Sequence, residues 1–320
     1  MKIFARTAMA LTALTAGLVS AQNYPAKPVR IVVGFTAGGV SDIVARAAGQ
    51  KMSELLGQPV IIDNAPGAGG IIATDRVAKA PADGYLLLLA SNGPLAVNPS
   101  IYAKLPYDPV KDFALVSMIA AVPFVVIVNP VVPVQNMPQL IALAKLRRNL
   151  TYSSAGVGST AHLAAEYLKS IAGFEALHVP YKGSPPALTD LMAGQIDMMV
   201  EAVPSALTYI RSGKLHALAV AARTRSSSLP AVPTTAEAGY KGYEVGSWFG
   251  IAAPAGTPRE VVARLNQVIT TGIASSDLRE RLLGQGAEPF ADSPEDFGNL
   301  LRDEIARWAR VAKSAGIRPE

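Results

Sequence analysis

Two glycine-containing turns carry the residues that could bind a ligand. The first covers residues 35–39 and the second residues 154–160, and each lies between a strand-like apolar run and a helix-like segment. A helix N-terminus favours an anion, because its backbone N–H groups lack partners and the helix dipole is positive there. Hydroxyls at Ser41, Ser159 or Thr160 could cap the helices or add a hydrogen bond. One such turn is more often plain turn chemistry, but two at matching positions predict an anion site.

The glycine spacing argues against a nucleotide as this anion. Gly38 and Gly39 are adjacent, so the first turn is not Gly-x-Gly-x-x-Gly, and no Gly-Lys-Ser/Thr sequence follows it. A small carboxylate fits better. Two helix N-termini contribute up to about 2 kcal/mol each, which alone gives about millimolar affinity. Micromolar binding would need several charge-assisted hydrogen bonds of about 1.5 to 3 kcal/mol each.

Side chains for catalysis, a metal or a cofactor do not form a recognisable set. The sequence contains no cysteine and only three histidines, none at a zinc-binding spacing such as His-Glu-x-x-His. No Gly-x-Ser-x-Gly elbow occurs, and residues 246–250 come nearest with the serine misplaced. We therefore expect no enzyme activity, no metal and no cofactor. His178 and His216 are interpreted as structural, whereas His162, in the first turn of a helix, remains a candidate ligand contact.

Two further positions could contribute to a binding pocket. Glu201 ends an apolar strand, at the carboxyl edge where ligands of parallel sheets collect. There it would repel a second substrate carboxylate and favour an ammonium or a hydroxyl. Alternatively, Glu201 is a solvated strand end or pairs with a cation such as Lys182. Trp248 and Phe249 lie among glycines and fit either a pocket wall or core packing.

The elements that would position these residues alternate between strand and helix, as in a parallel α/β sheet. In the first half, strands are predicted at residues 29–34, 60–63 and 85–90, and helices at 41–56 and 71–79. The second half repeats this order, with strands at residues 150–153, 177–179, 196–200 and 216–221 and helices at 138–146, 160–171 and 184–193. The repetition predicts two lobes of related topology.

Two more helices are predicted after the second lobe. Thr257 and Ser293 each precede a proline and an acidic residue, a pattern typical of a capped helix N-terminus. The last helix has no lobe of its own, so we expect it to pack back on the first lobe. The chain would then cross between the lobes twice.

Residues 114–134 are almost wholly apolar and could be mistaken for a membrane span. Pro123, Asn129, Pro130 and Pro133 interrupt this run. A helix exposed to lipid tolerates such interruptions poorly, whereas β-branched residues suit a strand buried on both faces. Two core strands are therefore predicted.

The N-terminus predicts export. Residues 1–21 contain the basic residues Lys2 and Arg6, an apolar run at 8–19 and small residues before Ala21, the pattern of a Sec signal peptide cleaved after Ala21. The alternative, an uncleaved membrane anchor, would need an apolar run of roughly 20 residues. A lipoprotein anchor and disulfides are excluded because there is no cysteine.

The length and net charge of the mature protein limit its number of domains and its possible partners. Of 320 residues, cleavage after residue 21 leaves 299, enough for two domains. It also removes two of 29 basic residues while all 24 acidic ones remain, so the formal charge falls from +5 to +3. Because the basic residues are scattered, no nucleic-acid partner is expected.

The sequence resembles the Bug family, the periplasmic solute-binding components of tripartite tricarboxylate transporters. The resemblance runs from about Tyr24 to the C-terminus and rests on several motifs in combination. These are residues 25–28 (PAKP), 34–39 (GFTAGG) with Asp42, 64–70 (NAPGAGG), 83–85 (DGY), 107–113 (YDPVKDF), 154–158 (SAGVG), 162–163 (HL), 178–184 (HVPYKGS), 204–206 (PSA) and 213–215 (GKL). Val40 stands where the family often has a glycine, which would narrow the first turn.

The resemblance implies an α/β fold of two Rossmann-like lobes with a hinge, the Venus-flytrap type of periplasmic binding protein. It implies capture of a small carboxylate, partly through water, by the two turns, and delivery to a membrane permease. The lobes are placed at residues 22–122 with 247–320 and at 123–246, and a monomer is expected. The candidate ligand-binding residues are Phe35, Thr36, Ala37, Gly38, Gly39, Ser41, Asp42, Ser91, Asn92, Ser154, Ala155, Gly156, Gly158, Ser159, Thr160, His162, Glu201, Ala202, Trp248 and Phe249.

The class of carboxylate is left open between di- or tricarboxylates, hydroxy or amino acids, and aromatic acids. Two alternative functions also remain. A sensory receptor that reports ligand occupancy to a membrane kinase would use the same residues. A periplasmic enzyme is disfavoured, since no nucleophile, base and oxyanion set can be named.

Overall fold

The computed structural model describes residues 24–147 and 149–314. The predicted signal peptide and its cleavage site after Ala21 lie outside the described residues. The elements of the first part are β1 Val29–Val33, α1 Val40–Leu56, β2 Val60–Asn64, α2 Ile71–Ala78, β3 Leu86–Ser91 and β4 Phe113–Val128. Then follow α3 Met137–Leu146, β5 Thr151–Ser154, α4 Thr160–Ala172, β6 Leu177–Pro180, α5 Ser184–Met192, β7 Met198–Ala202, α6 Val203–Arg211 and β8 His216–Val220. The last elements are β9 Gly246–Pro254, α7 Arg259–Ala274, α8 Ser276–Gly284, β10 Glu288–Pro289 and α9 Pro294–Ser314.

The strands form two sheet halves joined by long antiparallel strands. Their order is β2-β1-β3-β9-β4-β7-β5-β6, with β8 and β10 also paired to β4. In the first lobe β1 pairs in parallel with β2 and β3, and in the second β5 pairs in parallel with β6 and β7. The two-lobed α/β fold predicted from the sequence is confirmed, and each lobe repeats the strand–helix rhythm.

The prediction of two core strands within residues 114–134 is wrong, because one strand, β4, spans Phe113–Val128. Pro123 does not break it. Up to Pro123 the strand pairs with β9, and from Phe124 onward it pairs with β7. A proline has no N–H to donate to a ladder, so a position where the strand changes partners tolerates it. β4 therefore carries the chain from one lobe into the other.

The return passage is β9, Gly246–Pro254, which the sequence analysis did not recognise as a strand. It pairs antiparallel with β4 on one side and with β3 on the other. Because β9 lies between β3 and β4, it connects the parallel strands of the first lobe to β4. The helices α6 and α8 were also not predicted.

The last helix, α9, packs on β4 and on the buried turn at Gly93–Val97 of the first lobe, as predicted, and it also contacts α4 of the second lobe. Ser293 caps it as expected, since its Oγ accepts a hydrogen bond from the Asp296 N–H at 3.1 Å. The cap predicted at Thr257 is wrong. Its hydroxyl donates to the Pro254 carbonyl instead, and α7 begins only at Arg259. No helix among the described residues is both long and apolar enough to cross a membrane.

Candidate ligand-binding cleft

A cavity lies between the lobes, and both predicted turns contribute to its wall. The N-terminus of α1 reaches it from the first lobe and the N-terminus of α4 from the second. The residues that line it are Phe35, Gly39, Val40, Ser41, Ser91, Gly93, Phe124, Ala155, Ser159, Thr160, Ala161, Ser184, Glu201, Ser247 and Phe249. None of these described lining residues is Lys, Arg or His, so no side-chain cation is available there to hold an anion.

The first turn is held in shape by Asp42. The Asp42 carboxylate accepts hydrogen bonds from the Gly38 N–H at 2.9 Å and from Arg46 Nε at 2.8 Å. Burial acts to raise the pKa of Asp42, but the hydrogen bonds from Arg46 and Gly38 outweigh it and lower the pKa below its usual range. Gly38 adopts a φ of 83°, which favours glycine. Gly39 is the N-cap residue and has no side chain, so the free N–H groups of α1 remain available to a ligand.

The second turn is built by hydroxyl groups that bond to the backbone. Ser159 is the N-cap residue of α4, accepts a hydrogen bond from the His162 N–H and donates to the Gly156 carbonyl at 2.7 Å. Ser154 accepts a bond from the Gly156 N–H at 3.1 Å. The hydroxyls of Ser154 and Ser159 thus shape the turn, while Thr160 and Ala161, the first residues of α4, face the cavity.

His162 lies behind this turn and does not line the cavity. Its ring stacks on His178 with centroids 4.2 Å apart, and His178 stacks in turn on Tyr152. Burial lowers the pKa of His162 and, together with the nearby His162 ring, lowers that of His178 to about 3. Both rings are therefore neutral at physiological pH and form part of the packing beneath this turn.

Glu201 lies at the cavity with only 2% of its surface exposed. Its Oε2 accepts a hydrogen bond from Ser184 Oγ at 2.9 Å, and its Oε1 accepts one from the Ala202 N–H at 2.9 Å. Burial raises the pKa of Glu201 to about 7, against the lowering effect of these bonds and of Ser205. The alternative that Glu201 is a solvated strand end is therefore wrong. Pairing with Lys182 is wrong as well, since Lys182 lies at a second cavity.

Strand alternation separates the two aromatic candidates. Successive side chains of a strand point to opposite faces, so Trp248 and Phe249 of β9 cannot both line one cavity. Phe249 lines it, whereas Trp248 packs edge-on against Phe297 of α9 at 5.2 Å between centroids. The pocket-wall interpretation therefore holds for Phe249, and the core interpretation holds for Trp248.

Asn92 does not line the cavity either. Its side-chain amide donates to Glu304 at 2.7 Å, and its oxygen accepts hydrogen bonds from Ser247 Oγ at 3.0 Å and from the Trp248 N–H. The candidate Asn92 thus ties β9 and α9 together, and its neighbour Ser91 lines the cavity.

The candidate residues fall into two sets. Those in the cavity wall are Phe35, Gly39, Ser41, Ser91, Ala155, Ser159, Thr160, Glu201 and Phe249. Those outside that wall are Thr36, Ala37, Gly38, Asp42, Asn92, Ser154, Gly156, Gly158, His162, Ala202 and Trp248. The lining residues that were not predicted from the sequence are Val40, Gly93, Phe124, Ala161, Ser184 and Ser247. Ser184 begins a predicted helix, so its position at a third helix N-terminus was the available signal.

The lobes touch across the cleft at positions without side chains. A Cβ atom added at Gly183 would lie 2.0 Å from Thr36 Oγ1, and one added at Gly69 would lie 2.4 Å from the Val157 carbonyl oxygen. Real Cβ atoms do not approach other atoms this closely. The structure is thus a closed form, and glycines make this closure sterically possible.

A second cavity adjoins the first, with Phe35 and Ala155 in the walls of both. Gly67–Gly70 line it from the first lobe, and Tyr181 and Lys182 from the second. Within residues 24–147 and 149–314 no group of three or more metal-binding side chains occurs.

Two α/β lobes joined by crossing strands, closed over a cavity that helix N-termini line, define the class of two-lobed solute-binding proteins. The family described as tripartite tricarboxylate transporter family receptor matches residues 44–317. This match covers most of the chain, and the protein belongs to this family. The resemblance read from the sequence motifs is confirmed.

Individual relatives agree with this assignment. Protein BugT from Bordetella pertussis (strain Tohama I) is 40% identical over 309 residues, which cover 96% of this chain and 95% of that protein. The solved structure "R. palustris Rpa4515 with adipate" is 41% identical, has a TM-score of 0.91 and covers 93% of this chain and 100% of its own. The structure of the periplasmic binding protein BugD is 37% identical, with a TM-score of 0.90 and coverage of 93% and 100%. The family is described as a receptor and BugD as a periplasmic binding protein, which agrees with the expectation that this protein is not an enzyme.

Proposed function

We propose that this protein captures a small carboxylate between its lobes in the periplasm and delivers it to the membrane permease of a tripartite tricarboxylate-type transporter. The observation that carries this proposal is the convergence of the α1 and α4 N-termini on one cavity. The adipate bound to the 41% identical receptor supports the choice of a carboxylate. The family description supports a transporter as the partner.

The ligand carboxylate binds to backbone N–H groups and hydroxyls, because no cationic side chain lines the described cavity. Val40 and Ser41 at one helix start and Thr160 and Ala161 at the other supply the backbone donors. Each helix N-terminus contributes up to about 2 kcal/mol in a partly buried site. The hydroxyls of Ser41, Ser91 and Ser247 add hydrogen bonds, directly or through water.

Closure brings these groups together, since each lobe supplies one of the two helix N-termini. We place one lobe at residues 22–122 with 247–320 and the other at 123–246. The change of partners in β4 at Pro123 and the start of β9 at Gly246 support these boundaries. We further propose a monomer that is exported by the Sec pathway and cleaved after Ala21.

A ligand screen tests this function. The mature protein is mixed with mono-, di- and tricarboxylates, hydroxy, amino and aromatic acids, each paired with its neutral amide as control. A bound acid stabilises the folded protein by mass action and so raises its melting temperature. At a ligand concentration one hundred times Kd, this stabilisation is about 2.7 kcal/mol. Stabilisation by at least one acid and by no amide is expected. Equal stabilisation by an acid and its amide would refute carboxylate recognition.

A further inference from the structure

We infer, building on the proposed function, that the cleft selects a ligand with one ionised carboxylate and with an ammonium or hydroxyl donor at the Glu201 end. A second ionised carboxylate at that end is disfavoured. The substrate class is thus an amino or hydroxy acid in preference to a plain dianion.

The first ground is the charge inventory of the cavity. Among the described residues that line it, Glu201 is the one with an ionisable side chain. Lys182 lines the adjoining second cavity and does not line this one. A ligand carboxylate next to ionised Glu201 would therefore face like charge without a lining side-chain cation to offset it.

The second ground is the position of Glu201 at the N-termini of α5 and α6. Ser184, the donor to Oε2, is the first residue of α5, and Ala202, the donor to Oε1, precedes α6. Both helices thus begin at the Glu201 carboxylate, and their N-terminal dipoles are directed to a negative charge within the protein. The α1 and α4 N-termini remain for the ligand, which matches one ligand carboxylate.

The third ground is unused acceptor capacity. An ionised carboxylate offers about four acceptor positions. Ser184 and Ala202 use one on each oxygen. At least one position is left on a buried side chain that reaches the cavity, and a donor on the ligand satisfies it.

The test uses two series of straight-chain acids that differ only in the terminal group. The four-carbon series is butyrate, 4-hydroxybutyrate, 4-aminobutyrate and succinate. The six-carbon series is hexanoate, 6-hydroxyhexanoate, 6-aminohexanoate and adipate. Calorimetric titration is done at pH 8, where Glu201 is ionised, for the parent, for Glu201→Gln and for Glu280→Gln. Glu280 is an exposed residue of α8, so this last variant is a control for the change in net charge.

In the series that fits the cavity, we expect the amino or hydroxy acid to bind the parent at least about tenfold more tightly than the dianion, as one charge-assisted hydrogen bond implies. Glu201→Gln reduces the preference for the ligand with an ammonium group at least about tenfold and does not weaken binding of the dianion. Glu280→Gln behaves like the parent.

Four results contradict this account in different ways. If the parent prefers succinate or adipate within its series, the inference is wrong although the proposed function stands, and this result does not depend on the folding of any variant. If the ranking of the acids by affinity is unchanged in a folded Glu201→Gln protein, the inference is also wrong and the proposed function stands. If no acid of either series binds the folded parent but a tricarboxylic or aromatic acid of the wider screen does, the inference is wrong and the proposed function stands. If no acid of the wider screen binds, both are wrong.

Discussion

Ser184 Oγ donates a hydrogen bond of 2.9 Å to Glu201 Oε2 across the start of α5, which places a buried carboxylate at the wall of the interlobe cavity. The two residues are 17 positions apart in the sequence. Ser184 is the first residue of α5, and Glu201 is the fourth residue of β7. The contact holds the one ionisable side chain among the described residues that line this cavity.

The stability of the protein should depend on pH through Glu201. Burial raises its pKa in the folded protein to about 7, above its ordinary value of 4.5. The protonated form is therefore favoured by folding, and the stability this provides is fully present below about pH 4.5 and is lost as the pH rises through about 7. At pH 8 the loss is on the order of 3 kcal/mol.

Urea unfolding of the parent and of Glu201→Gln at several values between pH 5 and pH 8 measures this effect. The free energy of unfolding of the parent should fall relative to the variant as the pH rises. The lowered pKa values of His162 and His178 affect both proteins alike and cancel in the comparison. Parallel curves for the two proteins would show that Glu201 does not titrate in this range.

Gly39→Leu should abolish carboxylate binding and leave the fold intact. A Cβ at Gly39 would lie 3.6 Å from Pro185 and 3.9 Å from Ser184, an ordinary contact distance, and its φ of −80° suits any residue. The longer leucine side chain would fill the cavity and lie between the lobes. Affinity should fall at least about tenfold, or about 1.4 kcal/mol, by calorimetry.

The matched control is Gly284→Leu, at an exposed helix position with no atom within 4 Å of an added Cβ. It should bind like the parent. Gly158 is unsuitable for this experiment because its φ is 78° and an added Cβ would lie 2.3 Å from Asn98 Oδ1. A side chain at Gly158 is therefore expected to disturb the fold as well as ligand binding.

Gly183→Ala should hold the lobes apart. The new methyl group would collide with Thr36 across the cleft, so the open form becomes favoured. Small-angle scattering with saturating ligand should give a larger radius of gyration for this variant than for the parent. Gly173→Ala is the control for an alanine at a positive φ, which is 66° there and 144° at Gly183, and it has no neighbour within 4 Å. Equal compaction of parent and Gly183→Ala would contradict the assignment of this contact to closure.

The exported protein should begin at Gln22. Its basic start, apolar run and small residues before Ala21 predict cleavage by signal peptidase. Mass spectrometry of a periplasmic extract measures the N-terminus directly. An exported protein that retains Met1 would contradict the prediction.

Local chemistry explains which parts of the site could be predicted from the sequence. Gly38 and Gly158 have positive φ values because tight strand-to-helix turns require them, and this requirement is visible as glycine in the sequence. The turns at the α1 and α4 N-termini were therefore found. Their assembly into one cavity followed only from the repeated order of elements.

Long-range pairing explains what was missed. Pro123 reads locally as a strand breaker, yet β4 continues through it because the strand changes partners there. Since β9 was not recognised, the alternation that separates Trp248 from Phe249 could not be applied. The hydrogen bonds of Asn92 to Glu304 and to Ser247 span 212 and 155 residues, a distance at which sequence patterns give no signal.

A crystal structure with the tightest-binding acid of the screen is the most direct test of the central claim. We predict one ligand carboxylate within about 3.2 Å of backbone N–H groups at the start of α1, at Val40 or Ser41, and at the start of α4, at Thr160 or Ala161, directly or through one water. A carboxylate bound instead by Lys182 in the second cavity, or contacting neither helix N-terminus, would contradict the account.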